Sequence, residues 1–229
     1  MGPQYRVVMS DAGGNNERLV FIFDGRKLAR LDEIGEIDLP PARAAAVRID
    51  GVRQRFAGFD RNPYLASFQL NGTPLSVQLV NVHLYYGSEA PRDIERRSLE
   101  SVAVARWTAL RSKSRYAGAR ELIALGDFNM PKPRRDGSNA VLAALASGGL
   151  VIPPHSSEIG SSIASDNHYD QVAMLPATTG EWLVRIGVFD YDTVVFPDLW
   201  KSRGDAVFKG YLRYYLSDHR PMWVELRPR

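Results

Sequence analysis

Cysteine is absent from the 229 residues of this sequence, and histidine occurs only four times. Without cysteine there is no disulfide framework, no thiolate metal site and no cysteine nucleophile. Any metal ion must therefore be bound by oxygen or imidazole ligands. Long apolar runs are also lacking, since stretches such as residues 19–23 and 76–82 are far shorter than the roughly 20 residues that span a bilayer. No secretory leader is recognisable at residues 1–4, so the sequence predicts a soluble chain and assigns no compartment.

The charge balance says little about partners. Lysine and arginine total 29 and aspartate and glutamate total 26, a formal net charge of +3, which is too small to establish a nucleic-acid partner. Basic side chains nevertheless predominate over residues 111–135. Apolar residues make up 45% of the chain, enough for a sizeable core. No repeat or long linker divides the sequence, so we expect one domain over residues 1–229.

Periodicity predicts a mixed α and β chain in which strands dominate. Two β-rich runs flank Asn71-Gly72, a dipeptide that suits the positive φ of a tight hairpin turn. Over residues 92–112 apolar side chains recur every three or four positions after Pro91, as an amphipathic helix requires. A short capped helix is predicted over 138–146. Strands are predicted at residues 5–9, 18–23, 64–70, 75–84, 122–125, 171–175, 182–189 and 222–226.

Three short polar clusters lie at predicted strand ends, where a rigid element presents side chains to a cleft. They are Asn81-Val82-His83, Gly126-Asp127-Phe128-Asn129 and Ser217-Asp218-His219. Each cluster alone is explained more simply by a capped turn or a hydrogen-bonded core histidine. All three in this order are much harder to explain by coincidence.

With Glu17-Arg18, Arg61-Asn62-Pro63 and Tyr169-Asp170-Gln171, these clusters resemble the endonuclease/exonuclease/phosphatase superfamily and its pancreatic-deoxyribonuclease-like members. The resemblance extends from about Tyr5 to Leu226, and its specific motifs are GDFN at 126–129 and SDH at 217–219. It implies an α+β fold of two packed, mostly antiparallel β-sheets flanked by helices in a four-layer sandwich. It also implies hydrolysis of phosphoesters in a cleft above the sheets, with Mg²⁺ as the cofactor and Mn²⁺ or Ca²⁺ as alternatives.

The residue types suit phosphodiester hydrolysis. This reaction needs an activated water, neutralised charge on the phosphate, and an acid or metal at the leaving oxygen. Asp127 is predicted to orient or deprotonate the water, and Asn129 to hold the scissile phosphate without adding a repelling charge. Asp218 is predicted to bind the metal through oxygen, as a hard cation demands. His219 is predicted to donate to a phosphate oxygen, and His83 is the candidate leaving-group acid.

The resemblance adds a carboxylate partner for each histidine. It implies that Asp170 hydrogen-bonds the second ring nitrogen of His219 and holds that ring protonated. It implies the same relation between Glu17 and His83. We expect both contacts to be within about 3.2 Å.

Two basic features are predicted to bind substrate phosphate. Arg61 is expected to contact phosphate in a forked geometry that lysine cannot copy. Just after Asn129, the basic loop Lys132-Pro133-Arg134-Arg135 is placed to meet a polyanionic backbone, so Arg134 and Arg135 are candidate phosphate-binding residues. We therefore predict a nuclease whose substrate is DNA.

Two other functions stay open on the sequence. A phosphodiesterase or phosphatase for phospholipids or inositol phosphates would carry an exposed apolar loop, and residues 196–200 are a candidate for it. A non-catalytic nucleic-acid-binding module of the same fold would keep the arginine-rich surface but bind no catalytic metal. Plasmid nicking that requires Mg²⁺ and stops with a chelator separates an enzyme from such a module.

The start of the sequence departs from the family pattern. Family members begin with a strand that carries an asparagine, followed by a strand that ends in the glutamate that is the principal metal ligand. Neither precedes Glu17 here, and Asp11, Asn15 and Asn16 lie in a glycine-rich turn. We favour a C-terminal portion of a longer domain that lacks its N-terminal strands. The alternatives are a short protein completed by a partner chain and a relative that has lost catalysis. Activity of this chain alone is expected to be impaired.

Overall fold

The computed structural model describes residues 2–132, 139–165, 167–203 and 205–227. None of the helices within these ranges combines the length and apolar composition that crossing a membrane requires. The elements are, in chain order, β1 (Tyr5–Met9), β2 (Val20–Asp24), β3 (Leu28–Glu36), α1 (Pro41–Ala46), β4 (Tyr64–Leu70), β5 (Ser76–His83), α2 (Pro91–Arg111), β6 (Leu122–Asp127), α3 (Ala140–Ser147), β7 (Asp170–Met174), β8 (Leu183–Val188), α4 (Tyr191–Val194), α5 (Pro197–Arg203), α6 (Asp205–Tyr215) and β9 (Met222–Leu226).

The main sheet has five strands in the order β3-β4-β5-β6-β7. Neighbouring strands are antiparallel except β5 and β6, which are parallel and are joined by the crossover helix α2. The predicted hairpin between β4 and β5 is present, and Gly72 in its turn has a φ of +78°. Residues with a side chain rarely adopt that φ, which explains the choice of glycine.

Helices α2 and α3 close one face of the main sheet. Helix α2 begins at Pro91, close to the predicted boundary, because a proline at the first helical position has no N–H to lose. Helix α3 begins at Ala140, where the Asn139 side chain caps the first turn by accepting hydrogen bonds from two backbone N–H groups. Ser138, the predicted start of this helix, lies outside the described residues.

The second layer consists of two separate two-stranded sheets on the other face of the main sheet. Strands β1 and β2 pair antiparallel, and Phe21 of β2 packs edge-on against Phe68 of β4 with ring centres 5.8 Å apart. Strands β8 and β9 also pair antiparallel, and Ile186 of β8 belongs to the same buried cluster as Val172 of β7. The predicted α+β class, with packed sheets flanked by helices, is confirmed.

Between these two sheets the centre of the main sheet is only partly covered. Val77 and Leu79 of β5 pack against the buried clusters under both two-stranded sheets but are themselves only partly buried. Val80, on the opposite face of the same strand, is fully buried. Leu125 of β6 is also partly buried. We call Val77, Leu79 and Leu125 the uncovered band.

The β1–β2 pair is apolar on both of its faces. Phe21 on the inner face is 8% exposed, whereas Val7, Met9 and Ile22 are 45%, 51% and 52% exposed. Strands that alternate normally carry polar residues on a solvated face, and strands that are apolar on both sides are typical of a sheet buried on both sides. The outer face of the β1–β2 pair is therefore more apolar than a solvated strand face normally is.

The C-terminal third contains helices that the sequence interpretation did not anticipate. The candidate apolar loop at 196–200 falls largely in helix α5, and the Phe196 ring before it lies 6.2 Å from the ring of Phe208 in α6. Phe208 and Leu212 are both fully buried. Their four-residue spacing is a helical signal, but exposed tyrosines on the other faces of α6 obscured the pattern.

Glu100 is a buried carboxyl group on α2 that ties two loops to the helix. Its oxygens accept hydrogen bonds from the backbone N–H groups of Asp60 and Tyr85, at 3.2 and 3.0 Å. Burial raises the pKa of Glu100 from 4.5 to about 7. The folded state therefore holds this proton more tightly than the unfolded chain does. The resulting stability is fully present below pH 4.5 and is lost as the pH rises through about 7.

We expect this group to lower the free energy of unfolding by about 3 kcal/mol between about pH 4.5 and about pH 8. Glu100→Gln cannot titrate, so its unfolding free energy should vary less with pH than that of the wild type. Urea unfolding at a series of pH values measures the difference. The matched control is Glu225→Gln, which changes an exposed carboxylate of β9 that pairs with Arg185 of β8. Its unfolding free energy should depend on pH as that of the wild type does. Identical profiles for wild type and Glu100→Gln would contradict the assignment.

Candidate active site

Three neighbouring strands of the main sheet carry a polar side chain at the same edge. His83 is the last residue of β5, Asp127 is the last of β6, and Asp170 is the first of β7. The register places His83 beside Asp127 and Asp127 beside Asp170. Residues that are paired across neighbouring strands point to the same face. The sheet therefore brings these three side chains into one row.

Gly126 lets the row form. Its φ is +126°, and a Cβ atom there would lie only 2.2 Å from the carbonyl oxygen of Val82 on β5. Any side chain would push the end of β6 away from β5 and separate Asp127 from His83. The glycine of the GDFN motif is thus required by close strand packing.

His83 lies between two carboxylates. Its Nδ1 is 3.0 Å from Oε2 of Glu17, and its Nε2 is 3.5 Å from Oδ2 of Asp127. The expected proximity of Glu17 and His83 is therefore present. Burial and the charge of Arg61 lower the pKa of His83, while the charge of Glu17 opposes them. The predicted role as a leaving-group acid needs the charged ring, which only the carboxylates favour.

His219 has the opposite electrostatic setting. Its Nδ1 is 2.6 Å from Oδ2 of Asp170, the second of the two expected contacts. This hydrogen bond, together with the charges of nearby carboxylates, raises the pKa of His219 to about 9. The ring is therefore positively charged at neutral pH, and Asp170 fixes its orientation.

Asp127 is poised to accept a proton. Its Oδ1 accepts a hydrogen bond of 2.7 Å from the backbone N–H of Asn129. Burial, with the charge of Asp170, raises the pKa of Asp127 to about 6. The carboxylate is thus ionised at neutral pH but more basic than an exposed one.

Arg61 sits within the protein rather than at its surface. It is 6% exposed, and its Nε lies 2.8 Å from Oε2 of Glu17 while its Nη1 donates to the carbonyl oxygen of His83 at 3.2 Å. Two of the three guanidinium nitrogens, Nε and Nη1, are therefore already engaged within the protein. The predicted contact with phosphate stays a prediction, and the structure shows a further role for Arg61, which is to hold Glu17 and the end of β5.

Asn129 is also more enclosed than its predicted role suggests. It is 6% exposed, has a φ of +47°, and donates a hydrogen bond of 2.7 Å from Nδ2 to the carbonyl oxygen of Leu84. One amide hydrogen therefore holds the loop after β6 to the loop after β5. Its predicted contact with the scissile phosphate stays a prediction.

The carboxylates that the structure describes do not by themselves fit a Mg²⁺ site. Asp218 is exposed and lies near enough to His219 to raise the pKa of that ring. Asp127 and Asp170 are engaged with Asn129 and His219. Within the described residues no group of three or more histidine, cysteine or acidic side chains is arranged to hold a metal ion. Asp218 therefore stays a predicted ligand that needs further ligands.

Two predicted phosphate-binding residues, Arg134 and Arg135, lie outside the described residues. Lys132, just before them, is exposed. Whether this basic loop contacts substrate stays a prediction.

Arg97 on α2 supports the site and was not anticipated. It is fully buried, and its guanidinium donates to the carbonyl oxygens of Asn129, Tyr86 and Ser88. It thereby joins the loop after β5 to the loop after β6. A signal was available, because residues 97, 101, 104 and 108 share the buried face of α2 at helical spacing.

No family model matches the chain, and no curated protein matches its sequence. Solved structures do match over nearly its whole length. The mannosyl-6-phosphatase Bt3783 of Bacteroides thetaiotaomicron VPI-5482 is 16% identical with a TM-score of 0.59, and the match covers 98% of this chain and 77% of that one. An endonuclease/exonuclease/phosphatase of Bacteroides vulgatus is 14% identical with a TM-score of 0.58, covering 99% and 77%.

A third match is TDP2 of D. rerio complexed with single strand DNA product, 12% identical with a TM-score of 0.53, covering 98% of this chain and 77% of that one. At these identities the likeness concerns the fold. The chain has the endonuclease/exonuclease/phosphatase fold, as its motifs implied, and the proteins that share it include a phosphatase and the endonuclease domain of TRAS1.

Proposed function

We propose that this chain hydrolyses phosphodiester bonds and that its substrate is DNA. The observation that carries the proposal is the row of His83, Asp127 and Asp170 across three adjacent strands, which His219 completes through its contact with Asp170. Pairs of titratable groups whose surroundings push their pKa values apart are typical of acid–base sites. The surroundings of His83 lower its pKa and favour the neutral ring, whereas those of His219 raise its pKa and favour the charged ring. Asp127 lies beside His83 and has a raised pKa.

Asp127 is the proposed general base. Oδ1 is held by the N–H of Asn129, so Oδ2, which lies 3.5 Å from Nε2 of His83, is the oxygen proposed to orient a water and take its proton. With a pKa of about 6, Asp127 is both ionised at pH 7 and a better acceptor than an exposed aspartate.

His219 is the proposed donor to a non-bridging phosphate oxygen. Because Asp170 accepts from Nδ1, the second ring N–H, at Nε2, is available to the substrate. A fixed positive donor aimed at developing charge lowers the transition-state energy. His83 is proposed as the donor to the leaving oxygen in its charged form, which the Glu17 carboxylate favours and which burial and the charge of Arg61 oppose by lowering its pKa.

We also propose that a divalent cation takes part in the reaction and that a further segment completes the binding site of this cation. A bound Mg²⁺ would neutralise charge on the phosphate, with Asp218 as one ligand. We propose that an N-terminal complement or a partner chain covers the uncovered band and supplies the further carboxylate. The half-covered side chains of β5 and the apolar outer face of the β1–β2 pair support this part.

The choice of DNA rests on the basic loop after Asn129. Arg134→Ala combined with Arg135→Ala should weaken DNA binding and reduce the slope of log affinity against log salt by roughly one unit for each phosphate that the loop no longer neutralises. Fluorescence anisotropy with duplex DNA over a range of salt concentrations measures both effects. Arg6→Ala combined with Arg26→Ala, on β1 and in the turn that follows β2, is the matched control. An unchanged slope would show that the loop does not touch phosphate.

The direct test of the activity is plasmid nicking with Mg²⁺ and with a chelator. Cleavage that requires the ion supports the proposal. Hydrolysis of inositol phosphates or phospholipid vesicles with no cleavage of DNA would assign the other substrate class. DNA binding without hydrolysis, even when the metal site has been completed, would indicate a non-catalytic module.

A further inference from the structure

Two tyrosine rings and the ring of His219 form a row at the candidate active site, which we call the aromatic rim. The centres of the Tyr86 and Tyr169 rings are 6.3 Å apart, and those of Tyr169 and His219 are 5.7 Å apart. Tyr86 and Tyr169 meet edge to face, whereas Tyr169 and His219 are inclined by only 31°. An aromatic surface therefore extends outward from the proposed phosphate donor.

The outer end of the aromatic rim is exposed. Tyr86 is 42% exposed, although it lies on the loop directly after β5 and close to the proposed reacting groups. On one side the Arg97 guanidinium lies 5.2 Å from the centre of the Tyr86 ring. Because a buried arginine supports this ring and solvent reaches the remainder, Tyr86 presents an aromatic surface that the core of the protein does not use.

The rim is rigidly held. The buried Arg97 donates to the carbonyl oxygens of Tyr86 and Ser88, each at 2.8 Å, and so fixes the backbone on which the ring is mounted. The Tyr169 hydroxyl accepts a hydrogen bond of 2.6 Å from Nδ2 of Asn167, and its carbonyl oxygen accepts one of 3.0 Å from the N–H of Phe128. Rings that are fixed before binding lose little conformational entropy when a ligand stacks on them.

The chemistry of the surroundings selects the kind of ligand. Gly87, Ser88 and Glu89, which follow Tyr86, are all exposed and mostly polar, whereas a loop that enters lipid would be apolar. A nucleobase can stack on a tyrosine ring whatever the base sequence, as bases do in proteins that bind single strands. Glu89 would repel a phosphate, but it lies 3.7 Å from Nη1 of Arg97, which offsets its charge.

We infer that the aromatic rim is a stacking subsite for a nucleobase next to the scissile phosphate, with Tyr86 as its main contact. This inference rests on the proposed function, since His219 must hold the phosphate for the base to reach the rim. It restricts the substrate to nucleic acid in which a base can leave the helical stack, such as a single strand or a frayed end. Tyr169 then positions the base relative to His219.

The test compares two labelled single-stranded DNA oligonucleotides of equal length, one with all its bases and one with a central run of abasic residues. Binding is measured by fluorescence anisotropy in the presence of a chelator, so that hydrolysis does not interfere. We expect the wild type to bind the complete oligonucleotide about tenfold more tightly than the abasic one. Tyr86→Ala should lose this preference, and Tyr86→Phe, which keeps the ring, should retain it.

Tyr116→Ala is the matched control, because Tyr116 is 72% exposed but precedes β6, at the opposite end of the sheet. It should bind both oligonucleotides like the wild type. Equal affinity of the wild type for the two oligonucleotides would overturn the inference whether or not the variants fold. Cleavage of plasmid DNA in that case would show that the proposed function survives without a stacking subsite. A loss of affinity for the abasic oligonucleotide in Tyr86→Ala would assign Tyr86 to the sugar or the backbone instead.

Discussion

Asp127→Asn is expected to lower the rate of phosphodiester hydrolysis about a thousandfold, since a general base commonly contributes two to four orders of magnitude. The amide oxygen can still accept the N–H of Asn129, so the loop after β6 should keep its conformation. The amide cannot take a proton from water at neutral pH, however. Initial rates of plasmid nicking measure the effect, under conditions in which the wild type is active.

Asp24→Asn is the matched control for this variant. It makes the same exchange of atoms at the carboxylate that ends β2, which pairs with Arg26 in the turn between β2 and β3. Its rate should equal that of the wild type, because a surface pair contributes little to stability. A wild-type rate for Asp127→Asn would mean that the proton acceptor lies outside the row of His83, Asp127 and Asp170.

The second large effect concerns the completeness of the metal site. We expect this chain alone to bind Mg²⁺ and Mn²⁺ weakly and to nick DNA slowly or not at all. Mg²⁺ gives up water reluctantly and is usually held by one or two carboxylates plus substrate phosphates, and Asp218 is the one carboxylate assigned to it here. Loss of one stabilising charge in such a site commonly costs two to three orders of magnitude in rate.

Calorimetry with both ions and plasmid nicking should be run on the chain and on a version extended by the coding sequence immediately upstream of Met1. An extension that supplies the missing carboxylate should raise the nicking rate by about two to three orders of magnitude. The same extension with its acidic residues changed to amides is the matched control, because it can cover the uncovered band without supplying a ligand. Full nicking by the 229-residue chain, abolished by Asp127→Ala, would show that the site is already complete.

Local sequence signals were sufficient for much of the fold. The Asn71-Gly72 turn and the alternating strands around it predicted the β4–β5 hairpin, and the spacing after Pro91 predicted α2. Strand β3 and the helices of the C-terminal third were missed, because β3 is interrupted by a register shift and α6 is apolar on several faces. Local patterns identify an element only where one face is clearly distinct from the other.

The residues of the candidate site were predictable, but their surroundings were not. The motifs located His83, Asp127 and His219, and the resemblance located Glu17 and Asp170 as their neighbours. The resemblance implied a phosphate contact for Arg61, which stays a prediction, and the structure adds that the guanidinium engages Glu17 and the end of β5. Nothing in the spacing of the motifs indicates which polar side chain is buried and which is free to meet a ligand.

The sequence by itself determined which chemistry is available to this protein: oxygen and imidazole ligands, three polar clusters at strand ends, and no thiol. Only the tertiary structure decided that His83, Asp127 and Asp170 form a row. It also decided that the pKa of His83 falls while that of His219 rises. It placed the Tyr86 ring against the buried Arg97 and left part of that ring exposed to solvent. The reason is physical. Residue type and local periodicity are properties of short segments, whereas burial, strand register and the field of neighbouring charges arise from segments that are far apart in the chain.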